Sequence, residues 1–152
     1  MSGQRNVLPR VACLLAGLWA GLLLGLGAIG APSGFAVTTA EIAGRSAGRM
    51  FAVEAHVSLA AAMALLFALC KICKTGSAPT GTATSVFNTE VLLVLGTLFC
   101  TIAGYFVLQP MMVAARAGQG SLSFGMLHGL SAAFFSLKTL LVLSLAWRLC
   151  AR

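Results

Sequence analysis

Four long apolar stretches, residues 11–35, 48–72, 87–109 and 122–147, alternate along the chain with short pieces of polar and small residues. A helix crossing the hydrocarbon core of a bilayer needs about 20 consecutive apolar residues. Each stretch meets that length, so the pattern predicts four transmembrane helices. The connecting pieces, 36–47, 73–86 and 110–121, are rich in Gly, Ser, Thr, Ala or Pro and too short to fold on their own. The expected fold is all-α, an integral membrane four-helix bundle forming a single domain over residues 1–152.

The first stretch has some features of a cleaved signal, with Arg5 and Arg10 before it and the small residues Gly27, Ala28, Gly30 and Ala31 near its end. Its apolar run exceeds the usual signal core of about 7–15 residues. Pro32 also follows directly where processing would occur. It is expected to remain as helix one.

Composition agrees with a lipid solvent: 59% of residues are hydrophobic and 9% charged, against about a quarter charged in soluble domains. The net charge of +7 comes from basic residues in short pieces between apolar runs. That placement fits anionic headgroups. No basic patch interleaved with aromatics appears, so the expected partner is the lipid bilayer and no nucleic acid. Arg5, Arg10, Lys71, Lys74, Arg148 and Arg152 fall on one side, and Arg45, Arg49 and Arg116 on the other. The positive-inside rule then predicts an integral membrane protein with both termini cytoplasmic.

Small residues recur at four-residue spacing: Gly17, Gly21 and Gly25; Gly96, Cys100 and Gly104; Gly125, Gly129 and Ala133. Such stripes let helix backbones approach where lipid gives no hydrophobic incentive to associate. They predict tight packing within the bundle, or a homo-oligomer or other membrane partner docked on the helix-one stripe. Cys13, Cys70, Cys73, Cys100 and Cys150 are an odd set in or beside apolar runs. They read as small buried residues, and Cys70-x-x-Cys73 as a helix end, in preference to a disulfide framework.

Titratable groups inside a span cost roughly 3 kcal/mol each by insertion scales, so they usually face protein and often mark function. Glu54, His56, Gln109, His128 and Ser131 are placed together in a polar cluster toward the outer ends of the helices. At 100° per residue, His128, Ser131, Phe135 and Lys138 share one stripe of helix four, expected to look inward. Glu54 and His56, two residues apart, must diverge. Glu90 and Lys138 are a possible ion pair. His56 and His128 are candidate metal ligands for haem or copper, with Met63, Met111, Met112 and Met126 as soft donors. The plainer reading, interhelical hydrogen bonds with no cofactor, is favoured because no HxxxH spacing is present. Phosphate loops, nucleophile elbows and paired carboxylates are also missing, so no catalytic residues are assigned and an enzyme is not expected.

Several short motifs carry a resemblance: Ala31-Pro32-Ser33-Gly34-Phe35, Ala43-Gly44-Arg45 with Ala47-Gly48-Arg49-Met50-Phe51, His56-Val57-Ser58, Leu108-Gln109-Pro110, and above all Leu127-His128-Gly129-Leu130-Ser131. Over nearly its whole length the chain resembles the transmembrane protein 205-like family, in bacteria a four-span membrane domain of unknown function. Members often have an acid where Gln109 precedes the proline, and Glu54 lies outside the family motif. The resemblance implies a four-helix membrane domain without an assigned reaction. The expected role is structural, accessory or small-solute-handling. Its rivals are a haem- or copper-binding redox protein and a transporter subunit acting as a homo-oligomer.

Overall fold

A computed structural model of the chain describes residues 7–76 and 88–151, the side chains of 74–76 excepted. Arg5, Arg152 and most of the expected connection 73–86 lie outside the described residues. Four helices are long and apolar enough to cross a membrane: α1 (Val7–Val37), α2 (Ala40–Gly76), α3 (Thr89–Arg116) and α4 (Phe124–Cys150). The all-α four-helix bundle is thus as the hydropathy pattern predicts.

The helices run further than expected. Residues 40–47, expected as connection, form the first turns of α2, with Glu41 beside the helix dipole's positive end. The 37 residues of α2 extend about 55 Å at 1.5 Å per residue, so its ends project beyond the hydrocarbon. Asn88 and Ser123 cap α3 and α4: their side-chain oxygens accept from the Val91 and Met126 backbone N–H groups at 3.0 and 3.3 Å.

Pro110 was expected to end the third helix, but α3 continues through it to Arg116. A proline ring collides with the carbonyl four residues back, here that of Phe106. Residues Ile102–Val107 form a wider π turn at that point, and the Leu108 N–H bonds to Ala103 and Tyr105. Helix α1 repeats the device: the π turn Gly25–Gly30 precedes Pro32. Gly118 ends α3 instead. Its φ of 72° and the bonds from the Gln119 and Gly118 N–H groups to the Ala114 and Ala115 carbonyls form a Schellman stop.

Consecutive helices are antiparallel, and α1 packs on α2 and α4 while α3 packs on α2 and α4. The result is a four-cornered bundle with α2 and α4 parallel across one diagonal. Its main core uses Ala12, Ala16, Trp19, Ala20 and Leu23 of α1, Ala61, Ala62 and Leu65 of α2, Val94 of α3, and Val142 and Leu145 of α4. A smaller cluster of Leu108, Met112 and Leu127 fills the end away from the termini.

The glycine stripes need correction. A Cβ on Gly17, Gly21, Gly25, Gly125 or Gly129 would meet nothing within 4 Å. The close approach of α1 is made by its alanines. Gly17 and Gly21 each follow one of them, at Ala16 and Ala20, and one residue turns the face by about 100°. Gly96 and Gly104 do sit at contacts, where a Cβ would lie 3.1 Å from Leu141 Cδ1 and 2.7 Å from Phe134 Cβ.

Candidate functional site

The polar centre of the bundle is an ion pair across its diagonal. Lys138 Nζ on α4 donates to Glu54 Oε1 at 2.8 Å and Oε2 at 2.9 Å on α2, and both side chains are buried. Ser58, one turn along α2, donates its hydroxyl to Glu54 Oε1. Trp19 Nε1 on α1 donates to Ser58 Oγ at 2.9 Å. Phe135, one turn before Lys138, holds its ring 5.2 Å from the ammonium and meets Phe51 edge-on at 5.1 Å. Gly27 leaves room for that ring, since a Cβ there would stand 2.7 Å from Phe135 Cε1. Three helices therefore converge on one carboxylate. Among the described residues, no buried side-chain nitrogen or oxygen lacks a partner, as a low-dielectric interior requires.

The expected Glu90–Lys138 pair is replaced by two others. Lys138 takes Glu54, and Glu90, in the first turn of α3, accepts from Arg148 Nε at 3.2 Å in the last turn of α4. Lys138 sits too deep for Glu90: it is mid-helix, whereas Glu90 is a terminal residue.

The expected cluster of Glu54, His56, Gln109, His128 and Ser131 is not assembled. Glu54 turns inward and His56 outward, where His56 Nδ1 lies 2.7 Å from the Ala52 carbonyl and the ring meets Phe106. His128 is exposed, against the expectation that it faces the interior, and stacks on Phe124 of its own helix at 5.8 Å. Neither a ring contact nor a hydrogen bond joins the two histidines. Groups of three or more His, Cys, Asp or Glu side chains suited to a metal do not occur among the described residues. Ser131 donates at 2.8 Å to the Gly104 carbonyl within the π turn of α3. Gln109 is half-buried on α3.

Sequence reasoning missed Trp19, Ser58 and Arg148 as partners of the buried acids. It also missed the disulfide joining Cys13 of α1 to Cys150 of α4, against the reading of these cysteines as isolated small residues. Cys70 and Cys100 are free thiols, and Cys73 Sγ accepts from Asn88 Nδ2 at 3.6 Å.

Beside the ion pair, α1 and α2 part to leave an open cleft of about 570 Å³. Leu22 and Leu26 form one wall, Met50, Val53 and Val57 the other, with Ser46 and Arg49 at its upper end and Glu54 in its lining. The cleft is apolar along most of its length and opens toward the space a bilayer would fill. Neither curated proteins nor solved structures yield a match to this chain. Residues 14–121 match a family described as a domain of unknown function, DUF4149. That match spans well over half of a chain whose four apolar helices suit a membrane, and the protein belongs to the DUF4149 family.

Proposed function

We propose that this protein is a small-solute-handling or accessory component of the bacterial inner membrane, with Glu54 and Lys138 as its working centre. One observation carries the reading: Glu54 belongs both to the buried ion pair and to the lining of the cleft. An ionisable pair in the middle of a membrane bundle is costly unless satisfied, and such groups commonly mark solute paths. A small carboxylate could compete with Glu54 for Lys138, and a small amine with Lys138 for Glu54. The likeness to the transmembrane protein 205-like family supports the same kind of protein without specifying a reaction.

Binding raises thermal stability in proportion to ligand excess over Kd. Butyrate and butylamine, titrated against purified protein, are the matched probes. One of the two should raise Tm in the wild type and not in the Glu54→Leu/Lys138→Leu double variant. If neither does, the pair is a structural lock and this reading is abandoned.

Six basic residues against three favour cytoplasmic termini. The Cys13–Cys150 bridge argues the other way, because cytosolic thiols are kept reduced. We retain the charge-based orientation, since it draws on nine residues. Labelling of Ser46→Cys by an impermeant maleimide in intact cells tests it, and failure to label reverses the assignment. A homo-oligomer is the second reading. The open Gly17, Gly21 and Gly25 face favours it, because nothing among the described residues covers that face.

A further inference from the structure

The geometry points to a lipid site: the α1–α2 cleft takes one acyl chain of an anionic glycerophospholipid, and Arg49 holds its phosphate. This inference rests on the cleft being open, as does the proposed function, and adds to it a specific occupant.

The walls set the chemistry of the chain. Leu22 and Leu26 face Met50, Val53 and Val57 across a space of about 570 Å³, within the range of about 300–1,000 Å³ typical of ligand sites. Glu54 contributes to the lining, but its carboxylate is turned to Lys138 and Ser58. A hydrocarbon therefore meets a compatible surface along most of the cleft.

The mouth sets the chemistry of the headgroup. Arg49 lies five residues from Glu54 toward the face away from the termini, a rise of about 7.5 Å. Glu54 itself is near mid-helix depth, and half the hydrocarbon thickness is about 15 Å. An arginine stem spans the remainder, so its guanidinium reaches the headgroup layer. Its neighbour Arg45 is engaged by Glu41 at 3.8 Å, whereas Arg49 has no acidic partner among the described residues. A planar guanidinium beside an apolar trough is matched by a phosphate with a hydrocarbon tail.

Trp19 supplies the readout. It is bonded to Ser58, next to Val57 at the foot of the cleft, and the other tryptophan, Trp147, is removed by Trp147→Phe. That variant is reconstituted into vesicles containing phosphatidylglycerol or phosphatidylcholine brominated on the acyl chain, and quenching of Trp19 is titrated. The phosphatidylglycerol should be preferred about fivefold, the factor corresponding to ~1 kcal/mol per basic residue at an anionic surface. Arg49→Gln should abolish the preference, and Val53→Phe, which fills the cleft, should lower quenching by both lipids. Equal and strong quenching by both lipids overturns the anionic site while leaving an open cleft for the proposed function. Quenching by neither overturns both. Quenching unaffected by Val53→Phe shows that the bromines approach from elsewhere, and the site is then rejected.

Discussion

Glu54–Lys138 and Glu90–Arg148 each join an acid to a basic residue of α4, but in different surroundings. The first crosses the bundle diagonal at mid-depth, with lysine and glutamate side chains 4% and 2% exposed. The second ties neighbouring helices at the terminal end, with the glutamate 1% and the arginine 47% exposed. A charge that reaches water on loss of its partner can rehydrate, whereas one at the centre cannot. Breaking a buried pair from one side leaves an uncompensated charge in the interior, and removing both charges together can be nearly neutral. The two pairs should therefore respond differently to the same mutations.

The largest effect is expected for Lys138→Met, which strands Glu54: a loss of about 3–5 kcal/mol, measured by denaturant titration in mixed micelles. Glu54→Leu combined with Lys138→Leu should recover most of that loss. If the double variant is as unstable as the single one, the pair is not a self-contained unit. Arg148→Gln should cost less, about 1–3 kcal/mol, because it leaves the buried Glu90 carboxylate short of one hydrogen bond near a hydrated end. A cost equal to that of Lys138→Met would erase the contrast between centre and margin. Ser58→Ala removes the link from Trp19 to Glu54 and should cost about 1 kcal/mol, the usual scale of interhelical polar contacts in membranes; Trp19 emission should then shift. The smallest change is expected for Arg45→Ala, whose partner Glu41 is 80% exposed, at about 0–0.5 kcal/mol by the same titration.

The number and order of the helices were legible in hydropathy alone, because twenty-odd apolar residues have few other uses. Pairing of the charges was not, and the reason is a boundary. With helix two starting at residue 48, Glu54 would lie near its outer end and belong with His56, Gln109 and His128. The helix starts at Ala40, so Glu54 is fourteen residues in, and Lys138 is fourteen residues from the Phe124 start of the parallel α4. Equal depth on parallel helices is what lets them meet. Residues 40–47 carry too many polar and small residues for hydropathy to claim, yet the helix extends beyond the hydrocarbon, where such residues are tolerated. Pro110 misled in the same way, because a local change of helical pitch that absorbs a proline leaves little trace in composition. The cysteine bridge depends on α1 and α4 being neighbours, a fact of tertiary arrangement that spacing along the chain does not encode.

That bridge also bears on how the protein is made. Cys13 and Cys150 are separated by 137 positions, so covalent closure brings all four helices into one ring. Cys13 lies in α1 and Cys150 at the end of α4, and the thiols can meet only once every helix between them has threaded into place. Ring closure is thus a timestamp for completed biogenesis. In a pulse-chase experiment, the compact species on a non-reducing gel should appear only after α4 has been made and inserted, and never in chains truncated before α4.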